Sequence, residues 1–316
     1  MTESFLAVSQ QVLILFILMA VGFFLSKLKK LTDESVKSLA FIALYIVTPC
    51  VIIQSFDRDF NPDMLRGLGL SALAAAFTHV LCIVIAKFAF PSKARKNGAT
   101  PDENRWRVLR FGTIFCNCGY MAIPLQQAVL GSDGVFYGAA YIAVFNLFAW
   151  TYGLTLIAGN KEKFTAGKIL LNPGIIAVFL GVALFVSPIR LPSLVAAPVG
   201  HLAALNTPVP MLIIGHYLAG ITSLKILKDR QFILHLFLRL LAAPLISLAC
   251  FYAAGLRGVV LSSMIIAASS PTGANTAMFS VLYGRDEKLA VTMVSVSTLF
   301  SIITMPLVVS LAMLVQ

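Results

Sequence analysis

The chain has 316 residues, of which 59% are hydrophobic and 12% are charged, whereas a soluble domain carries roughly 25% charged residues. This composition excludes an ordinary soluble domain and predicts an all-α integral membrane protein in a lipid bilayer. The net charge of +11 would suggest a nucleic acid partner for a soluble protein. In a membrane protein, Lys and Arg mark the cytoplasmic loops instead, so no nucleic acid partner is expected.

Ten apolar runs are predicted as transmembrane helices, because most of them are near 20 residues, the length that crosses a hydrocarbon core. In chain order they cover residues 5–25, 36–56, 67–90, 108–130, 135–158, 169–186, 194–219, 231–254, 259–282 and 289–315. We number the connections between them from one to nine. Basic residues follow the first run instead of preceding it, so a cleaved signal peptide is not expected.

The positive charges alternate between successive connections. Of the 24 Lys and Arg residues, 19 lie in the odd-numbered connections or at the run ends that adjoin them, four lie in the even-numbered connections, and Arg239 lies inside a run. The positive-inside rule places the odd-numbered connections in the cytoplasm. The sequence therefore predicts a multi-pass protein of the cytoplasmic (inner) membrane with both termini outside.

The two halves of the chain repeat in their element order. Gly-Ser-Asp at residues 131–133 follows the fourth run, and Gly-Arg-Asp at residues 284–286 follows the ninth. Because five is an odd number, a second set of five runs must enter the membrane from the opposite side. The prediction is two inverted five-helix repeats, residues 1–158 and 159–316, an architecture typical of secondary transporters.

The fourth and ninth runs contain residues that a lipid-facing helix avoids. These are Asn117, Gly119 and Pro124 in the fourth run, and Ser270, Pro271, Gly273 and Asn275 in the ninth. Proline removes a backbone donor and clashes with the preceding turn, so the fourth helix is expected to break or kink near residues 119–124, and the ninth at Pro271 and Gly273. Prolines are also expected to interrupt the second run at Thr48-Pro49 and the seventh at residues 206–210.

Gly/Pro interruptions at matching places in two halves point to a transporter's substrate site. The N-termini of half-helices offer free N–H groups and partial positive charge, which suit a carboxylate. Asparagine side chains add amides that donate to the same group. The seven residues named above, from Asn117 to Asn275, are therefore the predicted substrate set.

The acidic residues are informative through their positions. All thirteen Asp and Glu residues lie in connections or at the ends of runs, and a cation exchanger normally needs a carboxylate at mid-membrane. An anionic substrate is therefore favoured. No cofactor is expected, and no metal site either, since Cys116-x-Cys118 has no second Cys/His pair beside it.

Four basic side chains inside runs could carry a charge or a proton: Arg239, His235, His216 and His79. An intramembrane ionisable residue is a functional hypothesis by default, and His235 shares a helix face with Arg239. The alternative for Arg239 is that it extends to the cytoplasmic headgroups. The alternative for a histidine is a hydrogen bond to a neighbour without any proton relay.

Four motifs resemble those of the auxin efflux carrier family. They are N-C-G-Y-M-A-I-P-L from Asn117, L-N-P-G-I-I-A from Leu171, P-V-P-M-L-I-I-G from Pro208 and S-P-T-G-A-N-T-A from Ser270. The resemblance implies a ten-helix fold like that of the bile acid–sodium symporters, with two crossover helices. It also implies that spans three to five and eight to ten move like an elevator against spans one, two, six and seven.

The family includes plant auxin exporters and bacterial permeases for malate or malonate. The predicted function is accordingly a secondary transporter of small organic anions, such as mono- or dicarboxylates. The particular anion, the direction of transport, the coupling ion (a proton, sodium or none) and assembly into a homodimer are left open. A membrane receptor that binds its ligand without moving it is the alternative. An intramembrane enzyme is disfavoured, because the sequence has no Ser-His-Asp arrangement and no H-E-x-x-H motif.

Overall fold

The computed structural model describes residues 2–91, 103–159, 173–220 and 225–315. Within these ranges the chain is helical and forms no β-strand, as its composition predicts. Most of the third connection and the link between the two halves, residues 160–168, lie outside the described residues.

We number the helices in chain order. They are α1 (Thr2–Lys27), α2 (Asp33–Phe56), α3 (Pro62–Ala89), α4 (Glu103–Ile114), α5 (Cys118–Ala158), α6 (Pro173–Val186), α7 (Ser193–Ala219), α8 (Arg230–Ala253), α9 (Gly258–Ser269), α10 (Asn275–Leu282) and α11 (Glu287–Leu314). In the described part of the chain, seven of them are long and apolar enough to cross a membrane: α1, α2, α3, α5, α7, α8 and α11. Helices α6 and α9 are apolar but shorter. The arrangement of ten spans stays a prediction.

Helix α5 is bent back on itself at Gly131. A straight helix of its 41 residues would be about 60 Å long, twice the thickness of a hydrocarbon core. Gly131 has φ +67° and ψ −158°, a conformation that glycine adopts without a side-chain penalty. A Cβ atom on Gly138 would lie 2.2 Å from Oε1 of Gln126. The two arms of α5 therefore pack side by side.

Three prolines follow a widened π-helical turn. These turns are Ala43–Val47 before Pro49, Cys118–Ala122 before Pro124, and Leu238–Ala242 before Pro244. In a π-turn the backbone hydrogen bonds span five residues instead of four. The wider turn accommodates the proline ring, which has no N–H and would collide with the carbonyl four residues earlier in a regular α-helix. Helix α2 consequently continues through Thr48-Pro49, and the predicted interruption there is wrong. In α7 the deviation is limited to a single 3₁₀ turn, Ala204–Asn206, before Pro208.

Helices α1 and α7 pack backbone against backbone. A Cβ atom on Gly22 would lie 2.3 Å from the carbonyl oxygen of Leu212, and one on Gly215 would lie 2.1 Å from that of Met19. Larger residues at either glycine would force the helices apart. Elsewhere α2 packs on α6, and α5 packs on both α3 and α9.

Polar contacts join connections of the same parity. Near one end of the bundle the pairs are Arg58–Asp133 and Arg190–Asp59, and near the other they are Arg105–Asp229 and Arg285–Asn104. The first two join the second, fourth and sixth connections, while the last two join the third, seventh and ninth. The placement of successive connections on opposite sides of the membrane stays a prediction.

Candidate substrate site at the crossing of two broken helices

The two interrupted helices cross each other at their breaks. The amide N–H of Asn117 donates to the carbonyl of Pro271 at 2.8 Å, and that of Gly273 donates to the carbonyl of Phe115 at 2.9 Å. Cys116 and Thr272 face each other between these bonds as an antiparallel bridge. The C-terminal ends of α4 and α9 and the N-terminal ends of α5 and α10 meet here. The crossing thus satisfies backbone groups that a bilayer interior could not.

The first break lies earlier than the sequence predicts. Helix α4 ends at Ile114 and helical structure resumes at Cys118, so the break occupies residues 115–117 instead of 119–124. Pro124 lies within α5, where the π-helical turn Cys118–Ala122 before it accommodates the missing N–H. The second break, residues 270–274, lies where Pro271 and Gly273 predict it.

The two glycines of the predicted substrate set have different surroundings. A Cβ atom on Gly273 would lie 2.7 Å from the carbonyl oxygen of Cys116, closer than a real side chain could come. Glycine is therefore required for the two backbones to touch. A Cβ atom on Gly119 would meet no atom within 4 Å, so this position borders open space.

A cavity of about 50 Å³, the crossing cavity, opens beside the breaks. Four members of the predicted substrate set line it: Asn117, Gly119, Gly273 and Asn275. Its other polar side chains include Thr48 and Asn146, and no charged side chain among the described residues lines it. Helices α5 and α10 begin at this cavity, so their first-turn N–H groups and the positive ends of their dipoles lie next to it.

Asn117 carries an unused donor. Only 4% of the residue is exposed, and its Nδ2 atom has no hydrogen-bond partner among the described residues. A buried polar group without a partner costs about 1–3 kcal/mol. A carboxylate oxygen in the crossing cavity would accept from this amide and remove that cost.

The other three members of the predicted substrate set do not line the crossing cavity. The hydroxyl of Ser270 donates to the carbonyl of Ile266 at 3.0 Å, and the carbonyl of Pro271 accepts from Asn117 within the crossing. Pro124 lines a different and larger cavity.

This larger cavity, the side cavity, has a volume of about 370 Å³ and lies between α2, α5 and α7. The polar side chains that line it in the described part of the chain are uncharged and include Gln54, Gln127, Asn206 and Ser132. Ser132 belongs to the fourth connection, so the side cavity lies towards the end of the bundle that holds the even-numbered connections. The size is that of a small-molecule site. Gln54 is not among the site residues predicted from the sequence, although an amide side chain within an apolar run could have indicated it.

Arg239 lies directly behind the crossing and is 0% exposed. Its Nη1 donates to the carbonyl of Thr113 at 3.3 Å, and its Nη2 donates to that of Ala268. These carbonyls belong to the last turns of α4 and α9, where no intrahelical partner is available and where the helix dipole favours a cation. The alternative that Arg239 extends to the headgroups is therefore wrong.

The charge of Arg239 has no acidic partner in the part of the chain that the structure describes. Its remaining contacts are the carbonyl of Ile114 and Sγ of Cys82, 3.5 and 3.9 Å from Nη1, and its Nε atom has no partner there. A buried charge is costly unless it is compensated. Helix-end carbonyls provide that compensation only as dipoles.

His235 connects the two breaks. Its Nδ1 lies 2.7 Å from Oγ1 of Thr113, and its Nε2 lies 3.0 Å from Oγ1 of Thr272. Thr113 also donates to the carbonyl of Leu109 at 2.8 Å. All these groups are satisfied when Nδ1–H donates to Thr113 and Nε2 accepts from Thr272. The geometry thus fits a neutral imidazole between α4 and the second break.

The remaining two histidines differ in position. His216 lies at the end of α7, where Nε2 is 2.8 Å from Oδ1 of Asp33 and Nδ1 is 2.9 Å from Oγ of Ser26. The structure therefore does not bring it to the crossing. His79 is buried beside Phe115 and stacks on Phe148. Its Nε2 has no partner among the described residues.

The thiols near the crossing offer little for metal binding. All five cysteines are free, including Cys116 and Cys118 on either side of Asn117. The described residues contain no group of three or more His, Cys, Asp or Glu side chains that could hold a metal ion.

An all-helical protein with several membrane-crossing helices and a polar cavity at two broken helices belongs to the class of membrane transport proteins. A family model described as "Membrane transport protein" matches residues 7–309. The chain therefore belongs to the auxin efflux carrier family, which confirms the resemblance seen in its motifs.

Two archaeal relatives cover nearly the whole chain. An uncharacterized transporter of Methanothermobacter thermautotrophicus is 24% identical over 306 residues, which are 96% of this chain and 98% of the relative. An uncharacterized transporter of Methanocaldococcus jannaschii is 24% identical over 309 residues, with 94% and 96% covered. The family and these names favour a transport role over an enzymatic one.

Proposed function

We propose that this protein is a secondary transporter that moves small organic anions, mono- or dicarboxylates, across the cytoplasmic membrane by elevator-like alternating access. The observation that carries the proposal is the position of Arg239. It is a buried cation without an acidic partner among the described residues, and it bonds the end of α4 just before Asn117. In a low-dielectric interior a fixed positive charge attracts an anion strongly.

The crossing cavity supplies the hydrogen bonds that an anion needs. Asn117 offers an unused amide donor, Asn275 also lines the cavity, and the first turn of α5 adds N–H groups. Hydrogen bonds to a charged group are roughly twice as strong as those between neutral groups. We infer that the carboxylate of the substrate binds at this cavity.

The proposed topology has ten crossings. Helix α4 with the first arm of α5 forms the fourth span, the second arm of α5 forms the fifth, and α9 with α10 forms the ninth. The repeats are residues 1–158 and 159–316, with the second inverted. The same-side contacts between connections support this arrangement, and the charge bias supports placing both termini outside.

The proposed movement separates two groups of helices. Helices α1, α2, α6 and α7 form the static part, and α1 and α7 are in backbone contact at Gly22 and Gly215. The remaining helices move with the crossing. The side cavity lies between these parts, with Gln54 and Asn206 on the static wall and Gln127 on the moving wall. An anion would pass through this uncharged polar lining and reach the crossing from the outer end.

The test is uptake into proteoliposomes that contain the purified full chain. Radiolabelled acetate, phenylacetate, malate and malonate are offered, with a neutral sugar and choline as controls. We expect saturable uptake of at least one acid and none of the controls. Binding of an acid without uptake would make the protein a receptor, and uptake of choline alone would overturn the anion assignment.

A further inference from the structure

We propose that Arg239 is a resident cation, meaning a permanent positive charge of the protein that occupies the place where broken-helix carbonyls could otherwise bind a coupling metal ion. It therefore moves one positive charge across the membrane with the empty carrier. The inference rests on the proposed alternating movement. It goes beyond that proposal by assigning the voltage-sensitive step to the return of the empty carrier.

The first argument is the set of ligands around the guanidinium. Carbonyl oxygens from two separate helix ends converge on it, those of Thr113 and Ile114 in α4 and Ala268 in α9. Carbonyls freed at broken helices can coordinate sodium in transporters. Here the guanidinium donates to these oxygens. A covalently attached positive charge therefore compensates the partial negative charges of the carbonyls that a sodium ion would otherwise compensate.

The second argument is the permanence of the charge. A guanidinium is not deprotonated in proteins. The ionisable side chains nearest to Arg239 are thiols, the Tyr141 hydroxyl and histidines, and its hydrogen bonds include a weak one to Cys82. His235, one turn earlier on the same helix, fits the neutral form because each ring nitrogen has a threonine hydroxyl as its partner. The charge therefore stays in place with no acidic counterpart among the described residues.

The third argument concerns which helices hold Arg239. Its partners lie on α3 (Cys82), α4 (Thr113) and α9 (Ala268), and all three helices belong to the proposed moving part. Arg239 must then travel with the crossing. An empty carrier displaces about one positive charge, whereas a carrier loaded with a monocarboxylate displaces none, because the two charges cancel.

This charge balance assigns a direction to the effect of the membrane potential. An inside-negative potential pulls the empty, positively charged carrier inward and leaves the step loaded with a monocarboxylate unaffected. Repeated cycles then export the anion, as the overall charge balance of anion transport requires. A dicarboxylate would leave one negative charge on the loaded carrier, so its loaded step would respond to potential.

The main experiment needs no substrate. Voltage jumps are applied to membranes rich in the full-length protein, and the transient charge displaced per carrier is measured. The wild type should displace about one elementary charge, and Arg239→Lys should retain it. Arg239→Gln should reduce it at least tenfold. Saturating phenylacetate on both sides should suppress the wild-type transient.

A second pair of variants keeps Arg239 itself. Cys82→Asp places a carboxylate beside the guanidinium and should abolish the displaced charge. Cys82→Asn, whose side chain has the same shape as that of Asp but no charge, should retain it. This pair decides the question even if Arg239→Gln does not fold. Undiminished charge movement in Cys82→Asp would overturn the proposal.

The flux assay separates this inference from the function on which it rests. Phenylacetate uptake by a wild type that shows no substrate-free transient would overturn the role of Arg239 and leave the transport function intact. Absence of both would overturn the movement that the two proposals share. If about one elementary charge were displaced without substrate but no acid were taken up, the role of Arg239 would be supported. The choice of acids as substrates would then be rejected.

Discussion

Asn117 and Pro271 are 154 residues apart in the chain, yet the backbone N–H of the first donates to the backbone carbonyl of the second at 2.8 Å. This bond and its neighbour between Gly273 and Phe115 hold two broken helices together where neither could satisfy its own backbone. The crossing depends on close backbone approach, on a buried arginine and on a histidine bridge. Each of these contacts can be tested by substitution.

Gly273→Ala should destabilise the protein by about 1–3 kcal/mol, because its Cβ atom would lie 2.7 Å from the carbonyl oxygen of Cys116 and the crossing would have to open. The melting temperature in detergent measures this change. Gly119→Ala is the matched control, since its Cβ atom would meet nothing within 4 Å. Equal melting temperatures for the two variants would contradict the close contact.

Asn117→Ala and Asn275→Ala should weaken substrate binding by about 1–3 kcal/mol each, as expected when a buried carboxylate loses a hydrogen bond. The measurement is the KM for uptake of a transported acid. Ser270→Ala serves as the comparison, because Ser270 donates to Ile266 and does not line the crossing cavity. If Ser270→Ala raised KM as much as Asn117→Ala, the geometry of the site would be wrong.

His235→Phe should lower the melting temperature, since it leaves the buried hydroxyls of Thr113 and Thr272 without their shared partner at a cost of about 1–3 kcal/mol. His79→Phe should be neutral or stabilising. That ring already lies among aromatic side chains, and its Nε2 makes no hydrogen bond within the described ranges. The opposite ranking of the two variants would reject the histidine bridge.

Cysteines introduced at Lys30 and Asp59, in a background that lacks Cys250, should be labelled from opposite sides of the membrane. Lys30 lies in the first connection and Asp59 in the second, and both are exposed. The charge bias places Lys30 in the cytoplasm. A membrane-impermeant maleimide on intact cells should therefore label Asp59→Cys only. Labelling of both positions from outside would remove the basis for the inverted repeat.

Much of this arrangement could be predicted from local chemistry. The second break could be predicted because Pro271 and Gly273 lie close together, and each of them destabilises a helix interior. The first break lies earlier than predicted because the π-helical turn Cys118–Ala122 accommodates Pro124 within α5. The break itself, at residues 115–117, contains no proline or glycine and forms because the other segment pairs with it.

The contacts of Arg239 could not be predicted from spacing. Its partners are carbonyls of residues more than a hundred positions before it and 29 positions after it. A sequence shows that a cation lies within an apolar run, but not which helix ends surround it. The side cavity is similar, because Gln54 and Asn206 come together only through the packing of α2 and α7.

The last prediction is that transport requires no sodium. A sodium site in the described ranges would have to use hydroxyls, amides and carbonyls, since no acidic side chain lies within the interior of the apolar runs. The carbonyls best suited to it, those of Thr113 and Ala268, already accept from Arg239. Replacing sodium with choline should therefore leave the initial rate of acid flux unchanged. By contrast, an imposed inside-negative potential should favour export, by about 2.3 kcal/mol per charge per 100 mV.

The control for this prediction is Arg239→Gln, which frees those carbonyls. We expect it to lose flux in choline and to regain part of it when guanidinium or sodium is supplied, because a small cation can then occupy the vacated place between the helix ends. Tetramethylammonium should not restore it, because its methyl groups prevent the carbonyl oxygens from approaching the charge. Strict dependence of the wild type on sodium, with no response to potential, would show that the crossing needs a metal ion in addition to its arginine.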